Sequence, residues 1–319
     1  MREVVNFLGN GSRLAVITDF LGGDLLLIGA IEAGGTKFVC GVGTESGEII
    51  NRVTFPTSKP ELTLAKVLEY FRDKKVSAVG IGCFGPIELN RSNPNYGFVT
   101  STPKLEWSNY PVLPILKSGL NVPIGWDTDV NVAALGEATW GAAKGLDSCI
   151  YYTIGTGIGV GVIAEGKLVH GLVHSEGGHV SIRRHPNDGY LGNCPFHADC
   201  LEGMAAGPAI LGRWNINGSD LPSDHPAWEF EAYYIGQAVA NAILMLSPKK
   251  VILGGGVMNQ TQLFPLIREQ VVSLLNGYVS KSELINAIED YIIPPLLGNN
   301  AGLCGSIALG IHAIQEGGV

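Results

Sequence analysis

Short β-branched runs separated by glycine turns open the interpretable part of the chain. Residues 27–32, 37–43 and 48–55 read as three strands, divided by Gly34-Gly35 and then by a turn over 44–47. Residues 62–74 carry Leu64, Val67, Leu68 and Phe71 at helical spacing, so a helix follows. The continuous apolar run 76–83 predicts a strand covered on both faces. A further strand over 121–126 and a helix over 130–143 with Val132, Leu135 and Trp140 inward complete a first unit. The pattern then restarts. Residues 148–153, 159–164 and 167–170 form a second set of three short strands with glycine turns, and a long irregular stretch runs from 171 to about 200. Helices over 228–246, 263–275 and 301–314 and strands over 250–253 and 291–293 finish it. Two meanders, each leading into alternating helices and strands, predict a duplicated α/β architecture with a boundary near Lys144-Gly145.

Composition narrows the class. The 319 residues include 44 Gly and only 16% charged residues, a balance suited to tight turns and to backbone laid against a ligand. A formal net charge of −8 argues against a general nucleic-acid surface, which needs clustered Lys and Arg. No apolar run reaches the 18 residues of a membrane span. Glu3, Arg13, Asp19 and Asp24 interrupt any signal-peptide core, so residues 1–26 read as an extension of unknown role. The six cysteines are spread too widely for a secreted disulfide framework; Cys40, Cys83, Cys149 and Cys304 read as core residues, and a reducing cytoplasm is expected.

Three features carry chemistry. No Walker A sequence is present, and Gly80-Ile81-Gly82-Cys83-Phe84-Gly85 matches a dinucleotide fingerprint only in letters, because Pro86 follows where a helix must begin. The glycine turns at matching places of the two meanders are stronger. Glu32-Ala33-Gly34-Gly35-Thr36-Lys37 and Thr153-Ile154-Gly155-Thr156-Gly157-Ile158-Gly159 can each aim backbone N–H groups and a Thr hydroxyl at phosphate oxygens, or can be plain hairpin turns. Two such turns facing across a cleft could grip one triphosphate. Asp129 lies between a strand end and a helix start, where a carboxylate serves either as an N-cap or as a catalytic group. Cys194-x2-His197-x2-Cys200 with His179 upstream supplies four N/S ligands for a closed, structural zinc site; the alternative is two buried thiols and two surface imidazoles. His170, His174, His185, His225 and His312 show no partner pattern and read as ordinary.

In their order along the chain, the segments 32–37, 82–86, 127–131 with 133–137, 155–159, 175–179, 194–202 and 254–256 resemble the ROK family of sugar kinases and repressors, in particular its ATP-dependent fructokinases. The resemblance runs from Leu27 to the C-terminus. It implies a two-domain actin/hexokinase-like (ribonuclease H-like) α/β ATPase fold with the active site in the interdomain cleft. The domains expected are 27–144 and 145–300, with a terminal helix over 301–316 packing back on the first. The resemblance implies Asp129 as general base for a sugar 6-hydroxyl. It implies nucleotide at Gly34, Gly35, Thr36, Lys37, Thr156, Gly157, Gly254, Gly255, Gly256, Val257 and Met258, bordered by Pro208. Glu176, Glu202 and Gly85 are the implied sugar contacts. ATP with Mg²⁺, one structural Zn²⁺ at His179, Cys194, His197 and Cys200, and a homodimer are the expected cofactors and assembly.

Two departures bear on the substrate. Thr128 and Lys104 stand where glucose- and amino-sugar-directed members carry Asn, which favours fructose over the glucose pattern. Mannose or glucose remain alternatives. A sugar-responsive transcription regulator of the same family would need a DNA-binding domain before residue 27, and a sugar-binding module without catalysis is a third reading.

Overall fold

A computed structural model describes residues 26–102 and 104–317; the expected extension over 1–26 falls almost wholly outside the described residues. Leu27–Ala33 (β1), Lys37–Thr44 (β2) and Ile49–Pro56 (β3) form an antiparallel meander. Helix α1 (Pro60–Phe71) starts with Pro at its first position, where the missing N–H costs nothing, and buries Leu64, Val67 and Phe71. Ala78–Cys83 (β4) pairs parallel to β1, and Ile124–Thr128 (β5) pairs parallel to β4. Between them lies α2 (Val112–Leu120), closed by Asn121 in the left-handed conformation. The strand order is β3-β2-β1-β4-β5.

The second sheet repeats this order. After α3 (Asp129–Thr139) come Cys149–Ile154 (β6), Ile158–Ala164 (β7) and Lys167–Leu168 (β8), again an antiparallel meander. Helices α4 (Leu201–Ala205), α5 (Gly207–Trp214) and α6 (Ala227–Leu246) lead to Val251–Gly254 (β9), parallel to β6. Then α7 (Leu263–Leu275), α8 (Ser282–Ile285) and α9 (Ile288–Tyr291) precede Ile292–Ile293 (β10), parallel to β9. The order β10-β9-β6-β7-β8 is the first sheet's pattern read from the other edge.

The last helix, α10 (Ala301–Gln315), returns to the first sheet, packing on β1, β4 and β5, while α3 packs on β6 and β7. These two helices touch each other and fill the space between the sheets. Their crossing depends on glycine: a Cβ on Gly305 would lie 1.5 Å from the Val132 carbonyl oxygen, and one on Gly136 2.5 Å from that of Ala301. A Cβ on Gly80 would sit 1.8 Å from the Ser306 oxygen, so the helix lies directly on β4. Ser306 Oγ donates to the Ile31 carbonyl at 3.1 Å. On the outer faces, α1 and α2 cover the first sheet with Trp107 and Trp126, and α4, α6 and α7 cover the second with Trp228 and Tyr234.

Some sequence expectations shift. Residues 169–170 leave the strand expected over 167–170, and 288–291 form a helical turn before a two-residue strand. Helices α2 and α5 are additions. Cys40, Cys83, Cys149 and Cys304 are buried free thiols, as read.

Candidate active site

The two glycine turns occupy matching corners of the sheets. At the β1–β2 turn the Gly34 N–H donates to the Lys37 carbonyl at 3.0 Å, and Thr57 Oγ1 donates to the Gly34 carbonyl at 2.7 Å. A Cβ on Gly34 would meet the Lys37 oxygen at 2.8 Å, so the turn closes only with glycine. Lys104 reaches over the same turn: its Cε would lie 3.3 Å from a Cβ on Gly35. At the β6–β7 turn the Gly155 N–H donates to the Gly157 carbonyl at 2.9 Å, and the Gly207 N–H donates to the Gly155 carbonyl at 2.7 Å. Gly255, at φ +92°, presses against Ile154 so closely that a Cβ would be 2.4 Å from its nitrogen. The structure thus brings the second turn, the Gly207-Pro208 start of α5 and the Gly254-Gly255-Gly256 segment together.

A cleft of about 910 Å³ opens between the sheets, lined by Glu32, Lys37, Asp129, Thr153, Gly254, Gly255 and Met258 and by the N-terminus of α10. Gly34, Gly35, Thr36, Thr156, Gly157, Gly256, Val257 and Pro208 are not among its lining residues and flank it through the turns just described. A separate cavity of about 610 Å³ is lined by Pro86, Glu88, Thr100, His170, His174 and Glu176. Gly85 adjoins it through the cis Gly85–Pro86 bond.

Asp129 begins α3 without capping it. Thr128 is the N-cap, its buried hydroxyl accepting from the Asn131 N–H at 3.2 Å. That assignment removes the bland alternative for Asp129 and leaves its carboxyl facing the cleft, with one bond from the Val130 N–H at 2.8 Å. Burial pushes the Asp129 carboxyl from 3.8 up to about 6, against the pull of backbone N–H groups, and the Glu176 charge adds to the rise. Glu32 rises to about 7 from burial first and then from Asp129, with Lys37 pulling the other way. Glu32 belongs to the first glycine motif, and its carboxyl is held against Gly302 of α10, an approach across the whole chain that spacing does not show.

The second carboxylate pair joins the cleft to the Cys/His cluster. Glu202 Oε2 accepts from the Ile158 N–H at 2.9 Å beside Gly157, and Oε1 lies 4.0 Å from His179 Nε2. The His179 N–H donates to the Glu176 carbonyl at 2.9 Å. Around the cluster, His179 Nδ1 lies 3.7 Å from Cys194 Sγ and 3.5 Å from Cys200 Sγ, and Cys194 Sγ lies 3.7 Å from His197 Nδ1. Tetrahedral zinc with N and S ligands spaces its donor atoms roughly 3.4–3.8 Å apart. All four donor atoms lie within 4.8 Å of one another, and a two-residue bridge between Cys194 and Ala198 fixes the turn that presents them. The cluster can hold a metal through four protein ligands, with Glu202 beside the outer nitrogen of His179.

One expectation needs correction: His170 is not ordinary. Its Nε2 lies 2.7 Å from Asp127 Oδ2, and Asp127 Oδ1 accepts from the Thr128 N–H and from Asn131 Nδ2 at 2.7 Å each. The partners are 43 positions apart, which is why no local pattern shows them.

Duplicated five-stranded sheets, two central helices and glycine turns on either side of a shared cleft define the actin/hexokinase-like ATPase fold. The model described as "ROK family" matches residues 28–313, and the chain belongs to that family. It is 48% identical over 291 residues to a fructokinase of Pediococcus pentosaceus, covering 91% of this chain and 100% of that one. It is 46% identical over 283 residues to a fructokinase of Lactococcus lactis subsp. cremoris, covering 88% and 94% respectively. A ROK hexokinase from Thermus thermophilus superposes with a TM-score of 0.73 at 25% identity, covering 92% of this chain and 100% of that chain.

Proposed function

We propose that this chain is an ATP-dependent fructokinase that transfers the γ-phosphoryl group to the 6-hydroxyl of D-fructose. Its similarity to fructokinases over nearly their whole length supports the substrate, and the Asp129 carboxyl facing the cleft at the start of α3 carries the mechanism. Asp129 takes the proton of the 6-hydroxyl as its oxygen bonds to phosphorus, the bond to the bridging oxygen breaks, and ADP departs with the electron pair. The proton then passes from Asp129 to solvent. A carboxyl held near 6 is mostly ionised at neutral pH yet basic enough to accept it.

The remaining roles follow the same reading. Lys37 and the backbone of Gly34, Gly35, Thr36, Thr156 and Gly157 hold the phosphates, while Gly254, Gly255, Gly256, Val257 and Met258, with Pro208 beside them, receive the nucleoside. Glu176, Glu202 and the Gly85 backbone hold sugar hydroxyls. Mg²⁺ would supply charge stabilisation to the phosphates when bound, and Glu32, a hard oxygen donor lining the same cleft as Asp129, is the side chain that would hold it. His179, Cys194, His197 and Cys200 form a closed zinc site with a structural purpose, since four protein ligands leave no open position for a substrate. The domains are 27–144 and 145–300, with α10 belonging to the first. Among the described residues no helix is long and apolar enough to cross a membrane, and the six free thiols fit a reducing cytoplasm, where we place the enzyme. A homodimer is the expected assembly, checked by sedimentation equilibrium.

The deciding experiment is coupled ADP release across fructose, mannose, glucose and N-acetylmannosamine. Fructose should give the highest kcat/KM; a preference for another hexose by about tenfold or more, equivalent to 1.4 kcal/mol of transition-state binding, would reassign the substrate.

A further inference from the structure

The segment from β8 to the Cys/His cluster carries Glu176, the sugar contact of the reading above, on an irregular path. Leu172 is almost wholly solvent-exposed and Val173 largely so, and the segment's own backbone bonding there is a single long contact from the Gly171 N–H to the Val173 carbonyl at 3.3 Å. Between its ends the segment buries only the His174 side chain, and next to Glu176 it rests on β7 through Gly177 and Gly178, so its attachments at either end matter for its place. The Cys/His cluster anchors the downstream end at His179. The upstream end is anchored at His170, and its partner belongs to the other half of the molecule.

That partner, Asp127, sits at the end of β5 with a side chain only 4% exposed. Its Oδ1 holds the turn into α3 through the Thr128 N–H and Asn131 Nδ2, so Asp127 is rigidly fixed two residues before Asp129. Its Oδ2 is left for His170 Nε2 at 2.7 Å. We propose that His170 is a positioning residue for the sugar site: as an imidazolium paired with Asp127 it pins the Glu176 segment to the turn that presents the base, and without that charge the grip on the sugar loosens while ATP binding is untouched. The inference rests on the fructokinase reading and adds a residue that reading does not use.

The surrounding charges leave Asp127 as the group that decides the protonation of His170. Arg91, on the loop after β4, is paired with Glu316 beyond α10 at 2.8 Å. Glu88 on the same loop accepts from the Asn90 N–H and from Asn93 Nδ2. Lys167 on β8 is solvated. Burial lowers His174 and His312, and burial raises Glu176 and Tyr96. The hydrogen bond to Asp127 raises His170 above its ordinary value of 6.5. The pairing is therefore complete below the ordinary histidine range and is lost as pH rises through the raised value.

The test measures KM for fructose and for ATP, and kcat, from pH 6 to 9 in the wild type, His170→Gln and His170→Lys. A charge-assisted contact with one buried partner predicts a rise of about three- to thirty-fold in fructose KM for His170→Gln near pH 7, with ATP KM and kcat within about twofold. Wild-type fructose KM should climb on the alkaline side toward the value of the Gln variant, whose own profile stays flat there. The Lys variant should delay that climb. A Gln variant with wild-type fructose KM, or one whose ATP KM rises equally, overturns the role. Should the Gln variant not fold, a wild-type fructose KM that is flat from pH 6 to 9 overturns it alone. No fructose-dependent ADP release from the wild type would instead sink the fructokinase reading, and the His170 role with it.

Discussion

At the scale of single residues, the molecule separates two jobs that share one turn. Thr128 closes the helix end and Asp129, one position on, is free for chemistry. Asp129→Asn should keep the shape and remove the proton acceptor, lowering kcat by roughly 10²–10⁴ with fructose KM little changed. A variant keeping more than about a tenth of wild-type kcat would remove Asp129 from the role. Because its carboxyl is held up near 6, kcat/KM should fall about tenfold per pH unit once pH drops well below 6. The same shift works against the ligand-free fold, since a carboxylate with a raised value disfavours the folded state above that value. Asp129→Asn should therefore raise Tm at pH 8, by ~3 °C or more, while abolishing turnover. A Tm equal to or below wild type would contradict that coupling. The glycine turns, Asp129 and the Cys/His spacing were all readable before any fold was known, because each is a local pattern. Glu32's approach to α10 and the Asp127–His170 pair were not, because each joins residues with no sequence relation.

At the scale of elements, the periodic ones were legible and the interrupted ones were not. Strands β1 to β7 and helices α3, α6, α7 and α10 lie within a few residues of where hydrophobic spacing puts them. Helix α2 carries Pro114 and Gly119 inside nine residues, and α5 begins Gly207-Pro208, so propensity argues against both until packing on Leu113, Leu116 and Ile210 overrides it. The helical spacing of α10 does not show what its glycines are for; the structure shows that they permit the approach to α3 and β4. Gly305→Ala would drive a methyl group into the Val132 carbonyl and should cost at least about 2 kcal/mol. Thermal unfolding checks it, and a Tm within about 1 °C of wild type would refute the close crossing. The long segment before Cys200 makes a different demand. Metal analysis should find about one zinc per chain. Cys194→Ser should lower Tm and raise fructose KM while ATP KM stays put. Freshly purified, unchelated protein without zinc would overturn the site, and normal stability with normal fructose KM in the variant would remove its proposed purpose.

At the scale of the whole molecule, the same strand order occurs twice and the cleft is lined from each copy by residues beside its glycine turn, Glu32 and Lys37 from the first and Thr153 from the second. Duplication was visible in the sequence because both meanders repeat the same glycine punctuation. Their juxtaposition was not, since it is set by α3 and α10 lying between the sheets. Glu137 of α3 strengthens that core: its buried carboxylate accepts from the Ala142, Leu296 and Leu297 N–H groups, tying the helix to the segment that enters α10. On the proposed reading, a divalent cation would be held at Glu32 and would supply charge stabilisation to the transferred phosphoryl group, so turnover should depend on divalent metal. Excess EDTA should abolish activity and added Mg²⁺ restore it; full activity in metal-free buffer would contradict the arrangement.

The return of α10 to the first sheet has a consequence for biosynthesis. The bond from Ser306 to Ile31 joins residues 275 positions apart, and Ile307 and Leu303 complete a core begun by Ile28 and Ala30. A ribosome has made the whole second sheet before it delivers the helix that covers the first. The earliest strands to emerge must wait with one apolar face open, while the half translated later can close at once around its own helices. Vectorial synthesis should thus invert the written order, with the second half folding before the first. A nascent chain arrested before Ala301 should show protease protection over β6–β9 but not over β1–β5. Equal protection of both would mean that the early strands find a temporary cover.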